Sequence, residues 1–576
     1  MSLESDLRAL LSRVFTEIAS VNEPVDPIDP QLHGSKHADF QADAAMSLAK
    51  LLRKKPRDIA TDVAAKLEGE ALIESVEVAG PGFLNINVPN SALEDRLANL
   101  AQDKRLGVPE VTKQTAVVDY SSPNVAKEMH VGHLRSTIIG DACARLLTWL
   151  GHDVIRRNHI GDWGTPFGML VEHLLDVGES AAAEAFSVGD LNTFYKQARA
   201  KFDADEDFQN RSRSRVVLLQ AADEETLRLW RVLIEQSQHY FMHVYEQLDV
   251  LLDGSEFVGE SAYNDQLNSV LEELREKGLI VQSDGAECVM PEGYVNRDGD
   301  PLPLIVRKKD GGFGYAATDL AAIRNRTQDL NATRLIYVVG SPQSQHLQMV
   351  YAVARMAGWL KEPAVAEHIA FGSVLGADGK MLKTRAGDTI KLSSLIEESI
   401  VRAENKVREK NPDLSAEDLS SIAHITGLGA IKYADLSSER IRDYVFDYDR
   451  MLAFEGNTAP YLQYAHTRIH SMLRKAESAE SDATISIQEK HERLLALQLM
   501  RFPDTIAQVE SSLAFHQLAN YLFELATAFS SFYTHCPVLA QEDKAIQQSR
   551  LALCRLVATT LNTGLGILGI RTPDRM

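Results

Sequence analysis

The chain has 576 residues, which is too long for a single hydrophobic core and indicates three or four domains. Hydrophobic residues make up 45% and charged residues 24%, as in ordinary globular proteins, and no apolar run is long enough for a membrane span. The formal net charge of −21 excludes a generally basic nucleic-acid-binding protein, so a nucleic-acid partner would have to dock on a local basic surface.

The cysteine pattern and the first residues indicate a reducing compartment. The four cysteines, at positions 143, 288, 536 and 554, form no Cys-x-x-Cys pair, which argues against a zinc ribbon and against a disulfide framework. The chain does not begin with a basic head and an apolar stretch, so no signal peptide is expected. We therefore expect a cytoplasmic protein.

Residues 1–110 combine helical and strand patterns. A first helix is predicted from apolar residues at helical spacing: Leu7, Leu10, Leu11, Val14, Phe15 and Ile18. A second helix is predicted over 42–52, and alternating apolar residues predict strands over 73–78 and 83–88. The sequence therefore predicts a small α+β unit, which closes with a linker at 107–109.

From residue 114 to about 370 strands and helices alternate, which predicts a parallel α/β sheet. The predicted strands of this sheet are 116–120, 154–159, 302–306, 335–339 and 368–374. The charged segment from about 171 to 297 is predicted to be a helical insertion. Helical patterns continue over 391–449, and residues 450–576 are predicted to form several long helices with equal numbers of basic and acidic residues.

The segment around His130-Val131-Gly132-His133 carries the strongest chemical signal. It lies between a short apolar strand at 116–118 and an amphipathic helix at 134–150, and a loop before a helix N-terminus is a typical phosphate-binding geometry. His130 and His133 can each donate a ring N–H to phosphate oxygens, and Gly132 lets an adenine ring approach the backbone. By itself the pattern also fits a metal pair or ordinary surface residues.

A second segment, Gly376 to Arg385, is glycine-rich and basic. It contains Lys380 and Lys383, two amines three residues apart that can close on a triphosphate. A solvated turn is the alternative interpretation, because Ala-Asp-Gly-Lys is a common turn sequence.

Taken together, these segments resemble class I aminoacyl-tRNA synthetases. Lys380-Met381-Leu382-Lys383-Thr384 is similar to their Lys-Met-Ser-Lys-Ser signature, with Leu382 and Thr384 in place of the usual serines. Other segments resemble one family, the arginyl-tRNA synthetases of bacterial type: Ser121–Lys127, Asn158–Thr165, Tyr315–Leu320 and Phe454–Tyr461. The similarity runs from about Lys36 to the end of the chain. Positions that depart from the family pattern are Ala38, Pro166 and Gly340-Ser341-Pro342.

The resemblance implies an α/β fold with a Rossmann-like parallel-sheet catalytic domain over 114–390 and the helical insertion within it. It also implies an N-terminal α+β tRNA-contacting domain over 1–110, a helical connecting region over 391–449 and an all-helical anticodon-binding bundle over 450–576. The implied activity is ATP-dependent ligation of L-arginine to its tRNA through an arginyl-adenylate, for protein synthesis. The implied partners are arginine, tRNA and ATP with its own Mg²⁺. No protein-bound zinc is expected. The protein is expected to be a monomer.

Arginine as a substrate requires carboxylates within reach of a planar, always charged guanidinium. Tyr315 and Asp319 are four residues apart and share a face if a helix begins there. Asp119 ends the first strand of the sheet, where ligands of open α/β sheets bind. The resemblance adds Asn124 and Gln343 as contacts to the amino acid. The alternatives are a surface carboxylate for Asp319 and a core ring for Tyr315.

The resemblance assigns the remaining site residues. The predicted catalytic residues are Lys127, His130, His133, Lys380 and Lys383, and the predicted ATP contacts are His130, Gly132, His133, Lys380, Met381 and Lys383. The predicted tRNA contacts are Phe83, Asn85, Tyr461 and Tyr464. Thr458 is the predicted N-cap of the helix that carries the two tyrosines, with Pro460 in its first turn. The rings of Phe83, Tyr461 and Tyr464 could stack on unpaired bases. The alternative interpretation is that these rings pack in the protein core. Two other functions remain open: a small-molecule nucleotidyltransferase, and a noncatalytic synthetase-like tRNA-binding protein.

Overall fold

The computed structural model describes residues 2–20, 25–179, 191–296, 298–382, 390–476, 484–573 and 575–576. The chain divides into two compact units. The first unit comprises Met1–Glu110, Phe454–Gly566 and Arg571–Met576, and the second comprises Val111–Ala453 and Ile567–Ile570. None of the described helices is both long and apolar enough to cross a membrane.

The described helices, in chain order, are α1 (Leu3–Ala19), α2 (Ala44–Leu52), α3 (Pro56–Leu67), α4 (Asn90–Gln102), α5 (Val131–Leu150), α6 (Thr165–Val177), α7 (Leu191–Ala204), α8 (Glu206–Gln220), α9 (Glu224–Leu248), α10 (Asn264–Glu276), α11 (Tyr315–Gln328), α12 (Ser344–Met356), α13 (Leu392–Lys410), α14 (Ala416–Leu436), α15 (Tyr448–Met451), α16 (Ala459–Lys475), α17 (Lys490–Met500), α18 (Phe502–Ser512), α19 (His516–His535) and α20 (Lys544–Ile567).

The described strands are β1 (Leu32–Gly34), β2 (Phe40–Ala42), β3 (Ser75–Ala79), β4 (Phe83–Asn87), β5 (Thr115–Asp119), β6 (Asp153–Arg157), β7 (Ile280–Ser283), β8 (Ala286–Val289), β9 (Leu304–Arg307), β10 (Arg334–Tyr337), β11 (Val365–His368), β12 (Val374–Leu375) and β13 (Tyr444–Val445).

The first unit joins the two ends of the chain. Its antiparallel sheet has the strand order β1-β2-β4-β3, and helices α16 to α20 belong to the same unit. Arg493 of α17 donates to Asp39 at 2.6 Å and to the Val88 carbonyl at 2.5 Å, and it also bonds Asn90. Because the Asp39 side chain is only 7% exposed, this charge pair ties the N-terminal α+β segment firmly to the C-terminal helices.

The second unit is organised around a parallel sheet of order β11-β10-β5-β6. Val117 and Val118 of the central strand β5 are completely buried, as expected for a sheet covered on both faces. Tyr337 pairs in register with Asp119 at the carboxyl ends of their strands. The parallel sheet predicted from the alternating pattern is therefore confirmed.

Two of the five strands predicted for the parallel sheet are wrong, one in its sheet and one in its extent. The segment predicted at 302–306 is β9, which pairs antiparallel with β8 in a separate sheet of order β7-β8-β9. Ile305 is 45% exposed, so this strand has one open face, unlike a strand of a covered parallel sheet. The segment predicted at 368–374 is mostly loop, because Gly372 leaves the ladder and donates to the Arg440 carbonyl.

Candidate active site

The predicted site residues of the second unit follow the carboxyl ends of the parallel strands. The loops after β5 and β6 continue side by side, and Asn124 pairs with Gly161 in a parallel bridge. The loops after β10 and β11 do the same through Gly340 and Phe371. Ligands of open α/β sheets bind at this edge, so these four loops are the candidate active site.

The loop before α5 holds an unusual backbone. Three of its residues have a left-handed φ although none is glycine: Ser121 at 71°, Ser122 at 49° and Ala126 at 60°. Each backbone N–H donates at 2.9 Å to a side chain from outside the loop: Ser121 to Ser136, Ser122 to Asn158 and Ala126 to Ser237. Backbone strain held in place by surrounding hydrogen bonds is typical of a functional loop.

A buried hydroxyl network supports the same loop. Tyr245 of α9 lies 2.8 Å from the Ser121 hydroxyl and receives a hydrogen bond of 2.9 Å from Asn158. Ser237 lies on the same helix. Sequence reasoning missed Ser237 and Tyr245, because they lie more than 100 residues from the loop and no local motif marks them.

The two histidines form the first turn of α5. His130 is its N-cap, and the Gly132 N–H donates to His130 Nδ1 at 3.0 Å. The His130 N–H donates to His133 Nδ1 at 3.1 Å, and the ring centroids lie 4.2 Å apart. Since both Nδ1 atoms accept, the ring proton of each neutral histidine lies on Nε2.

Both histidines are held in the neutral form. Burial and then the neighbouring His130 lower the pKa of His133 to about 3. Burial and then Lys127 lower the pKa of His130. Each ring is therefore a neutral Nε2–H donor at pH 7, and a phosphate oxygen that gains charge is the matching acceptor.

Gly132 is required by the packing of His130. A Cβ at this position would lie 2.7 Å from His130 Cε1 and 2.9 Å from His130 Nδ1. A larger residue would displace the ring that caps the helix. Glycine at the third position of the His-x-Gly-His motif thus has a steric reason as well as the predicted one of adenine access.

The glycine-rich basic segment is anchored beside the histidines. Lys380 and Met381 are exposed on a short turn, where Leu382 donates to the Val374 carbonyl. After the turn, the segment 390–392 pairs with the histidine loop, and Lys391 bonds Glu128 at 2.8 Å. The predicted residue Lys383, with Thr384 and Arg385, lies outside the described residues.

Lys127 lies in the loop after β5, and Pro166 follows the loop after β6. The Lys127 Nζ lies 4.6 Å from the ring centroid of Tyr195 on α7, so this amine has an aromatic partner in the free protein.

Pro166 lies in the first turn of α6. This position tolerates proline because a backbone N–H there would have no acceptor within the helix.

The predicted arginine contacts Tyr315 and Asp319 both lie in the first turns of α11, so the predicted helix start is confirmed. Tyr315 is 71% exposed and does not pack in the core. Asp319 Oδ2 lies 2.6 Å from His346 Nε2. Asn124 and Gln343 are also exposed, and Gln343 ends the single turn that precedes α12.

Asp119 has partners within the protein. Arg326, whose side chain is 1% exposed, donates to Asp119 Oδ2 at 2.6 Å, and the Ser122 hydroxyl donates to Oδ1 at 3.1 Å. The guanidinium of Arg326 also lies 4.9 Å from the ring centroid of Tyr337. A direct contact of Asp119 with a substrate stays a prediction.

Glu260 is a site residue that sequence reasoning missed. Burial raises its pKa to about 8, and the charges of Asp162 and Asp319 add to the shift. Asp162 is itself fixed by Ser261, which donates its backbone N–H at 2.9 Å and its hydroxyl at 2.6 Å. A partly buried carboxyl group with a raised pKa beside two further carboxyl groups marks a candidate site for a positively charged group of a substrate. Glu260 lies in the insertion and belongs to no recognisable motif.

The predicted tRNA contacts belong to the first unit. Phe83 is half-buried at the start of β4, and Asn85 is buried with no hydrogen-bond partner for Oδ1 in the described chain. Thr458 caps α16 by accepting the Tyr461 N–H, which confirms the predicted N-cap. Tyr461 packs 5.7 Å from Phe523, whereas Tyr464 is 41% exposed.

Within the described parts of the chain, no group of three or more His, Cys, Asp or Glu side chains is placed to hold a metal ion. The four cysteines are all free and buried.

Three family models match the chain. The N-terminal domain of arginyl-tRNA synthetase matches residues 2–88, the catalytic domain of class I tRNA synthetases (R) matches 96–448, and the DALR anticodon-binding domain matches 462–576. Among curated proteins, the chain is 52% identical to the arginine–tRNA ligase of Thermobifida fusca over 95% of both chains. It is 46% identical to that of Klebsiella pneumoniae over 99% of this chain and 100% of the relative.

Two solved structures of arginyl-tRNA synthetases superpose on the whole chain. The arginyl-tRNA synthetase of Plasmodium falciparum superposes with a TM-score of 0.86 at 28% identity, covering 100% of this chain and 99% of that one. The Thermus thermophilus enzyme superposes with a TM-score of 0.80 at 26% identity over 100% of both chains.

Proposed function

Because the chain belongs to the arginyl-tRNA synthetase family, we propose that it ligates L-arginine to its tRNA with ATP. The observation that carries the proposal is the carboxyl edge of the parallel sheet. On one loop of this edge, His130 and His133 provide two neutral Nε2–H donors. Near the start of α11, the carboxyl groups of Asp319 and Glu260 can accept hydrogen bonds from a guanidinium. A small-molecule nucleotidyltransferase would have no use for the helical C-terminal region matched by an anticodon-binding model.

In the first step the arginine carboxylate attacks the α-phosphorus of ATP in line, which forms arginyl-adenylate and releases pyrophosphate. His130 and His133 donate Nε2–H to the phosphate oxygens that gain charge. Lys127, Lys380 and Lys383 neutralise the β- and γ-phosphates, and Mg²⁺ enters with ATP as part of the substrate. Positioning and charge stabilisation supply the catalysis. The arginyl group then passes to the terminal ribose of tRNA.

Arginine is recognised through its guanidinium. Asp319 and Glu260 supply acceptors, and the exposed ring of Tyr315 packs against the guanidinium plane. Asn124 and Gln343 contact the amino acid head. Lysine lacks the planar fork and leaves these acceptors unpaired, so a site of this kind rejects it without a separate hydrolytic step.

The direct test is ATP–pyrophosphate exchange with each amino acid in turn, with and without tRNA. Among the amino acids, only arginine is expected to support exchange, and only when tRNA is present. We expect tRNA binding to favour the state in which the basic segment that contains Lys380 closes on ATP. If none of the amino acids supports exchange, the proposal is contradicted and a noncatalytic tRNA-binding protein is favoured. Full exchange without tRNA would contradict the tRNA requirement alone.

The raised pKa of Glu260 predicts a pH dependence. Below about pH 8 the carboxyl group is largely protonated in the free enzyme, and a bound guanidinium favours the charged form. The KM for arginine should therefore fall as pH rises from 7 to 9, and binding near pH 7 should release protons. Calorimetry in buffers of different ionisation enthalpy measures the release. Glu260→Gln should abolish it, and an unchanged release in that variant would exclude Glu260.

Anticodon-loop stacking is expected from Tyr464 and not from Tyr461. Tyr464 is 41% exposed, whereas Tyr461 packs against Phe523 and lies 3.3 Å from Ser530 through its hydroxyl. A stacked base contributes about 1–3 kcal/mol, so Tyr464→Ala should weaken tRNA binding at least several-fold. Tyr461→Ala should mainly lower the Tm. Filter binding and thermal melts separate the two outcomes, and a silent Tyr464→Ala would exclude stacking there.

Asn85 and Phe83 are proposed to contact an unpaired loop base of the tRNA, and the partly exposed ring of Phe83 supports this role because it can offer a stacking face. We propose that the enzyme acts as a cytoplasmic monomer. The four free, buried cysteines support the reducing compartment.

A further inference from the structure

Asp319 is oriented by a histidine that belongs to no motif identified in the sequence. His346 is the third residue of α12, and its Nε2 lies 2.6 Å from Asp319 Oδ2. The other oxygen of the carboxylate, Oδ1, has no hydrogen-bond partner among the described residues. The pair is only partly shielded, with side-chain exposures of 32% for His346 and 24% for Asp319.

The imidazole is rigidly mounted. Leu347 and Val350 of α12 are buried in the core cluster that also contains Leu320 and Ala321 of α11. The chain before α12 is held by Ser341, whose N–H donates to the Phe371 carbonyl at 3.0 Å. The helix that carries His346 therefore packs on the helix that carries Asp319 through apolar side chains, and their separation does not depend on the hydrogen bond between the two residues.

Nε2 donates in either charge state of the ring. The hydrogen bond to Asp319 and its negative charge raise the pKa of His346, against the effect of burial. The titratable groups that interact electrostatically with Asp319 are Glu260 and the hydroxyls of Tyr337 and Tyr351. Since Nε2 donates to Asp319 in both the neutral and the protonated ring, His346 stays a donor across the working pH range.

We propose that His346 is a positioning residue for arginine specificity, which holds Asp319 Oδ2 so that Oδ1 is presented to the substrate guanidinium in one orientation. This inference rests on the proposed function. The N–H donors of a guanidinium point in fixed directions within one plane, so a hydrogen bond to Oδ1 depends on the orientation of the carboxylate. An ammonium is a point charge and does not. Loss of the Nε2–H donor should therefore weaken recognition of arginine more than residual recognition of lysine.

The test uses the full-length enzyme in pyrophosphate exchange at saturating tRNA, with His346→Ala and His346→Gln. The alanine variant should raise the KM for arginine about 10-fold, leave the KM for ATP within twofold, and narrow the preference for arginine over lysine. Glutamine places an amide donor near the position of Nε2 and should restore most of the loss. In an Asp319→Asn background, His346→Ala should have no further effect.

A matched control is available in the first unit, where His33 Nε2 lies 3.0 Å from Asp43 Oδ2. His33→Gln should leave the KM for arginine unchanged. The inference is overturned if folded His346→Ala keeps a normal KM for arginine, or if its KM values for arginine and for ATP rise together. It is also overturned if His346→Gln does not restore the KM for arginine. These outcomes are distinct from a wild-type enzyme without arginine-dependent exchange, which would remove the proposed function itself.

Discussion

Replacing His133 with alanine is expected to slow adenylate formation by roughly 10²–10³-fold, with little change in tRNA affinity. The proposed role of the neutral imidazole is to donate Nε2–H to a phosphate oxygen, and His133 lies in the unit that does not contain the predicted tRNA-contacting side chains. Single-turnover adenylate formation and tRNA binding measure the two effects separately.

His133→Asn is the matched variant. Its side-chain oxygen can still accept the His130 N–H that His133 Nδ1 accepts at 3.1 Å, but it has no donor at the position of Nε2. The asparagine enzyme should melt like the wild type and still be slow in adenylate formation. If asparagine restores the rate, the Nε2–H donor is not the source of the effect. Equal losses of rate and of tRNA affinity in His133→Ala would instead indicate a folding defect.

Asp319→Asn is expected to lower kcat/KM for arginine by about 2–4 kcal/mol, mainly through a higher KM. The change is isosteric and keeps an oxygen for the hydrogen bond from His346, but it removes the charge that pairs with the guanidinium. The KM for ATP should stay unchanged, since the predicted ATP contacts lie on other loops.

Asp329→Asn provides the control for that variant. Asp329 is an exposed carboxylate at the C-terminal end of α11, the helix that carries Asp319 near its start. The control should keep wild-type kinetics. Unaltered arginine kinetics in Asp319→Asn would exclude this carboxylate from the pocket, and the neighbouring Glu260 would then be the principal acceptor.

Features that depend on local chemistry were predictable from the chain. The strand, His-x-Gly-His loop and helix follow one another within 36 residues of sequence, and the structure has them as β5 and α5. The starts of α11 at Tyr315 and of α16 after Thr458 were also predicted, because helix caps and spacing are properties of adjacent residues.

Strand partners were less predictable. Periodicity identifies a strand but does not say which sheet it joins, and β9 was assigned to the parallel sheet although it pairs antiparallel with β8. The apolar run at 369–375 had the composition of a strand, yet Gly372 packs on the backbone of Arg442 and the run is mostly loop. In both cases the deciding contacts come from distant segments.

The sequence by itself determined the family, the order of the structural elements and the residues with reactive side chains, since these are written in local motifs. Only the tertiary structure decided which groups surround them. It brought Glu260 and His346 to Asp319, and Tyr245 to the strained loop, and it paired Asp119 with Arg326. It also joined the two ends of the chain in one unit through Arg493. These partners are 27 to 454 residues apart, and only the packing of whole helices and strands on one another brings such residues within hydrogen-bonding distance.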